Sequence, residues 1–255
     1  MAAQPSSKLA NSVLPEPLYR ALVHVFAQGI SGTMLVGGTA LAGYYAGHRR
    51  SDDLDLFVRD AAAHRATVLA VKSLRGLHAG IAEQQHTSQF YSATVRLNEH
   101  HFTVQVVLDA HLFEVAGSMQ APDGVRVADL ETLLRMKAAT LVSRCSEKDL
   151  YDLEWLFGKF PGLDVRRLLE LGSAIDAGMN AESALLNVVG TELSVARCGF
   201  SSSQSPAEVF ADIKSLKARI ADALDKAARQ QPTPAIGELV RKLGSNGPVS
   251  PKREE

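Results

Sequence analysis

The sequence predicts an α/β (α+β) fold, a mixed sheet flanked by helices and followed by a helical C-terminal lobe. Three observations predict it. Met34-Leu35-Val36 runs into Gly37-Gly38 and then a stretch of small residues, which is how a buried strand, a tight turn and a closely packed helix read. Asp53-Leu54-Asp55-Leu56-Phe57-Val58 alternates with period two, so a strand there carries acids on one face and leucines on the other. From Asp129 onward the strand signals stop and apolar residues recur at helical spacing.

Each element follows in chain order. Pro15 and Pro17 precede Leu18, Leu22, Val23, Val25 and Phe26, a mostly apolar helix whose prolines fit its first turn. Met34–Val36 is a strand, residues 39–45 a helix, Leu54–Val58 a second strand and residues 61–74 a helix. Phe90–Leu97 and Phe102–Leu108 form a hairpin around Asn98-Glu99-His100. Asp129 caps a helix bearing Leu130, Leu133, Leu134 and Met136 that continues through Ala138–Val142. A helix over about residues 148–157 ends at Gly158 and the Pro161-Gly162 turn, and Asp164 caps the next. Ser205-Pro206 opens a long helix with Val209, Ile213, Leu216, Ile220 and Leu224 on one face, and helices are expected as far as Leu243. The expected division is an α/β core over 1–125, a helical lobe over 126–245 that completes a cleft, and a disordered tail over 246–255, rich in Gly, Ser, Pro and charge.

The 255 residues carry a formal net charge of −1, so no global basic field advertises a long nucleic-acid footprint. Small ligands and transient partners fit better. Cys145 and Cys198, expected inside helices and without metal-ligand spacing, read as inert thiols of a reducing compartment. No apolar run approaches the roughly 20 residues that span a bilayer, and residues 1–11 lack the apolar core of a signal peptide, so the cytoplasm is the expected location. His100-His101, at a hairpin turn with no second cluster at metal spacing, reads as solvated rather than zinc-binding, and Tyr151 and Trp155 read as packing residues.

The chemistry starts with Asp53 and Asp55. Two carboxylates held on one strand face repel each other unless a cation neutralises them, and hard oxygen ligands suit Mg²⁺ or Mn²⁺. Upstream, Gly37 and Gly38 let a ligand approach the main chain while the helix they open presents unpaired N–H groups, an attraction for phosphate. Asp53 lies fifteen positions after Gly38, enough for one short helix and a return onto a neighbouring strand. Phosphate turn and acid pair can therefore face one cleft, which points to metal-assisted transfer from a nucleotide.

Gly37-Gly38-Thr39-Ala40-Leu41, followed by Gly47-His48-Arg49-Arg50-Ser51-Asp52-Asp53-Leu54-Asp55-Leu56-Phe57, resembles the AbiEii/AbiGii toxin family of polymerase-beta-like nucleotidyltransferases, with one extra residue around Arg50. A later helical lysine, Lys137, and the segment Lys148-Asp149-Leu150-Tyr151-Asp152-Leu153 resemble the family's remaining motif. Lys148 stands where the family commonly shows arginine, so the charge is kept and the planar fork lost. The likeness covers roughly residues 35–157.

The resemblance implies a polymerase-beta-like core and a Mg²⁺-dependent transfer of a nucleoside monophosphate from an NTP, with pyrophosphate leaving. Asp53 and Asp55 would hold the metal. Gly37, Gly38 and Thr39 would hold phosphates, with His48, Arg49 and Ser51 on the nucleotide side. Lys137 would neutralise triphosphate charge and Asp149 would complete the site, Asp152 being the alternative acid. A third strand carboxylate has Asp109 as its candidate, with Gln105 competing for the corresponding face. The same resemblance implies a toxin of a type IV toxin–antitoxin or phage-defence locus, with a cognate antitoxin and an RNA acceptor such as tRNA. The competing reading is a degenerate relative that binds nucleotide, RNA or a protein without turnover.

Overall fold

The computed structural model describes residues 3–201 and 203–230; the expected helix as far as Leu243 and the tail over 246–255 run outside the described residues. The chain opens with α1 (Ser7–Val13), capped by Ser6, and α2 (Glu16–Phe26), whose Leu18, Ala21, Leu22 and Val25 are fully buried. β1 (Thr33–Val36) is buried at all four positions because strands flank it on both sides. α3 (Gly37–Leu41) passes into a π-helical turn, Ala42–Ala46, that stops at Gly47 with φ +66°. β2 (Asp53–Val58) and α4 (Ala61–Lys72), capped by Asp60, follow. β3 (Gly80–His86), β4 (Phe90–Leu97), β5 (His100–Leu108), α5 (Ala110–Val115), β6 (Ser118–Gln120) and β7 (Arg126–Ala128) complete the sheet region.

The seven strands lie in the order β3-β4-β5-β2-β1-β7-β6. β2 runs parallel to β5 and β1 parallel to β7, while the other pairs are antiparallel, so the predicted mixed sheet is present. Helices occupy the rest of the described chain: α6 (Leu130–Ser143), α7 (Glu147–Lys159), α8 (Val165–Ser173), α9 (Ala181–Gly190) and α10 (Pro206–Gln230). On α10 the stripe Val209, Ile213, Leu216, Ile220 and Leu224 is buried, as its spacing predicts. Just before α10 the chain returns to the sheet side, where Arg50 N–H donates to the Phe200 carbonyl at 2.8 Å and Arg49 bridges Ser201.

Two local expectations change. The β4–β5 turn uses only Asn98 and Glu99, both with positive φ (48° and 62°), the geometry that matches strand twist in a two-residue hairpin. His100 and His101 therefore belong to β5, with His100 paired to Leu97, and not to the turn. Neither cysteine lies within a helix. Cys145 sits between α6 and α7 with φ +45°, and Cys198 ends the 3₁₀ turn Val195–Arg197. Both are buried free thiols, and burial pushes the Cys145 thiol up to about 12, which leaves it unreactive.

Candidate active site

β2 behaves as its alternation demands: Leu54, Leu56 and Val58 are buried, while Asp53 and Asp55 look out on the opposite face. Parallel pairing sets Thr103 of β5 beside Asp53 and Gln105 beside Asp55, and the Thr103 hydroxyl donates to Asp53 Oδ1. Gly37 has φ +71°, and a Cβ there would stand 2.1 Å from Asp55 Oδ2. Only glycine lets that carboxylate lie against the turn. A Cβ on Gly38 would likewise meet the Arg49 guanidinium at 2.3 Å. Turn, acid strand and arginine thus crowd into one place.

The resulting cleft, about 210 Å³, takes Gly38, Arg49, Ser51, Asp53, Asp55, Thr103 and Gln105 from the sheet side. Lys137, Arg144, Ser146, Lys148 and Asp149 close it from the helical side. A larger hollow of about 320 Å³ is walled by Leu134, Phe160 and Leu171 and gathers no comparable set of charges.

On the helical side one buried network holds the charges. Lys137 Nζ of α6 stands 2.8 Å from Asp149 Oδ1 and 2.7 Å from Asp152 Oδ2, both on α7. Arg49 grips Asp152 through two bonds, Nε at 2.6 Å and Nη2 at 2.8 Å. Asp149 closes a capping box with Ser146 and receives Arg144 Nε at 3.1 Å. Burial by itself would raise both carboxyls, but the adjoining cations outweigh it. Lys137 and Arg144 hold Asp149 at about 2, and Lys137 and Arg49 hold Asp152 well below the usual carboxylate range. Asp55 goes the other way: burial first, and then the neighbouring Asp53, push it up to about 6.

The structure separates the two acids that the sequence left open: both are buried, but Asp149 lines the cleft while Asp152 lies behind it against Lys137 and Arg49. Other expected residues lie elsewhere. Thr39 is fully buried; its hydroxyl donates to the Asp53 carbonyl and shares a 2.9 Å hydrogen bond with Ser51 Oγ, so it braces the acid strand instead of meeting a phosphate. His48 does not line the cleft; its Nε2 lies 2.8 Å from Asp152 Oδ1 and its ring stacks on Tyr151. Asp109 caps α5 through Leu112 N–H at 2.8 Å and is absent from the cleft wall. Gln105 takes the face beside Asp55.

Thr103, Arg144 and Ser146 are cleft residues that sequence reasoning missed. Only Ser146 carried a signal, the Ser-x-x-Asp spacing of a helix start. Among the described residues, no group of three or more His, Cys, Asp or Glu side chains is placed to hold a metal ion. Two carboxylates, one of them pushed up to about 6 by burial and by its neighbour, with the Gln105 amide alongside, fit a hard divalent ion.

The family described as nucleotidyl transferase AbiEii toxin of type IV toxin–antitoxin systems matches residues 20–242. The chain belongs to the AbiEii family. No curated protein matches it. Among solved structures, JHP933 from Helicobacter pylori is similar with 18% identity and a TM-score of 0.50, covering 94% of this chain and 99% of that one. MenT4, a nucleotidyltransferase toxin from Mycobacterium tuberculosis H37Rv, is similar with 16% identity and a TM-score of 0.52, covering 85% and 88%. At such identities the likeness speaks for the fold, and the AbiEii match for the class: this chain is a nucleotidyltransferase of a toxin family, which implies an NTP substrate and a cognate antitoxin. Among its described residues no helix is long and apolar enough to cross a membrane.

Proposed function

We propose that this AbiEii-family protein is a divalent-metal-dependent toxin that moves a nucleoside monophosphate from an NTP onto a hydroxyl of an RNA acceptor, tRNA being the first choice, in the cytoplasm. One observation carries the reading: the missing side chain of Gly37 lets Asp55 rest against the phosphate turn, with Lys137 and Arg144 across the cleft. Asp53 and Asp55 are the residues to hold Mg²⁺ or Mn²⁺. Such an ion supplies charge neutralisation at the reacting phosphate.

The chain's own groups do the rest. Gly38 offers its backbone to the triphosphate, and Lys137 neutralises charge as the bond from the α-phosphorus to the leaving pyrophosphate lengthens. Arg144, with 68% of its side chain exposed, is free to swing onto the outer phosphates beside Lys148. Asp149 orients Lys137 and does not take the acceptor's proton, because a carboxyl held at about 2 is too weak a base. Asp152 positions Lys137 and Arg49 from behind. A second reading, nucleotide or RNA binding without turnover, is favoured by the neutral Gln105 in the position a third acid would take.

Incubation with each α-labelled NTP, Mg²⁺ or Mn²⁺ and total tRNA separates the two. Label is expected on RNA with the wild-type chain, and none with EDTA or with folded Asp53→Ala and Lys137→Ala variants. Saturable NTP binding with no label on any RNA fraction would replace transfer with the second reading.

A further inference from the structure

A second hollow, about 170 Å³ and sharing no residue with the cleft, lies between α7 and α10. Its aromatic wall is made of His48, Tyr151 and Trp155: the His48 ring stacks on Tyr151 with centroids 5.5 Å apart and 9° between planes, and stands 5.7 Å from Trp155. Glu154 and Asp212 supply two carboxylates. Glu154 Oε2 accepts from Arg219 at 2.9 Å and Asp212 Oδ2 from Gln204 at 2.7 Å, and among the described residues the other oxygen of each accepts nothing.

The third acceptor is His48. Its side chain is 8% exposed, and its Nε2 meets Asp152, a carboxylate that can only accept. Nε2 therefore carries a proton, and in the neutral ring Nδ1 is a lone-pair acceptor. That buried Nδ1 has no partner. A buried acceptor without a donor is costly, so a donor reaching this ring nitrogen would be favoured.

We propose that this pocket receives the arginine side chain of a protein partner. A guanidinium is flat enough to stack on the aromatic wall, is always charged, and has five donors in a fork able to reach several acceptors at once. The alternatives fit less well. Two carboxylates repel a phosphate or a nucleic-acid strand, and an ammonium neither stacks as a plane nor spans separated acceptors. The chain's own Arg219, already on Glu154, foreshadows this chemistry and would compete with the incoming residue.

The pocket also touches the transfer site. His48 shares Asp152 with Lys137 and Arg49, so a partner held here pulls on the carboxylate that aims the cleft's cations without entering the cleft. This regulatory consequence rests on the transfer reading; the binding does not.

Trp155 is the protein's sole tryptophan, so intrinsic fluorescence reads the pocket directly. The full-length chain is titrated with a blocked Gly-Gly-Arg-Gly-Gly peptide and with its lysine and citrulline counterparts. A saturable change in Trp155 emission is expected with arginine, weakened at least tenfold with lysine and lost with citrulline. Asp212→Asn and Glu154→Gln should each weaken arginine binding severalfold, and Arg219→Ala should tighten it. Asp53→Ala should bind the peptide as wild type does, which keeps the outcome independent of whether nucleotide is transferred. No saturable response to arginine, equal responses to citrulline, indifference to both acid substitutions, or saturation by AMP instead would each overturn the proposal.

Discussion

The two walls of the cleft treat buried charge in opposite ways. On the helical wall, Asp149 and Asp152 are each in contact with cations of the chain itself, and both are held low. On the sheet wall, Asp53 and Asp55 make no ion pair among the described residues; Asp53 takes the Thr103 hydroxyl, and Asp55 is held high. A buried charge is tolerated when it is paired and hydrogen-bonded. The helical wall meets that condition alone, whereas the sheet wall meets it only when something positive arrives. In the proposed reaction the metal ion would go to the wall whose charges are incomplete.

That contrast is broken most directly by neutralising one acid on each wall. Asp55→Asn should reduce nucleotidyl transfer on the order of a thousandfold, the equivalent of several kcal/mol of lost charge stabilisation. It should leave the urea midpoint unchanged or raised, because a repulsion with Asp53 is relieved. Asp152→Ala should instead lower stability by roughly 3–5 kcal/mol, since it strands Lys137 and Arg49 in a buried site. Matching losses of stability in the two variants, followed by urea denaturation, would erase the distinction between scaffold and binding wall.

Much of the sheet wall was legible because it depends on short-range pattern. Period-two alternation assigned Asp53 and Asp55 to one face, and Gly37-Gly38 marked the turn, whose glycine is demanded by both a positive φ and the Asp55 contact. The resemblance of Lys137 and of the segment Lys148–Leu153 to a family motif pointed to Lys137 and Asp149. What the sequence hid depends on tertiary placement. β3, Gly-Ile-Ala-Glu-Gln-Gln-His, is an exposed edge strand with no apolar face to alternate, and β6 and β7 have three residues each. Thr39 reads like a phosphate ligand until its hydroxyl is found on the Asp53 carbonyl. Asp149 and Asp152 are one helical turn apart and equally acidic in sequence, and only packing decides which of them faces the cleft. Arg144 reaches Asp149 from outside any regular element, so no periodicity announces it.

The smallest effect sharpens the comparison by pH. Asp149 has its folded carboxyl at about 2 against an ordinary 3.8, so folding favours its ionised form. Its contribution is fully present above pH 3.8 and is lost as the pH falls through about 2. The difference corresponds to roughly 2 kcal/mol. Urea midpoints of wild type and Asp149→Asn should therefore stand apart at pH 6 to 7 and converge steadily below pH 4. Arg144→Ala should close little of that gap, because the arginine is largely exposed while Lys137 remains in buried contact with the carboxylate. A gap that persists undiminished at pH 2.5 would mean that Asp149 acts through its capping box with Ser146 and not through its charge, and the helical wall would then be held by shape more than by pairing.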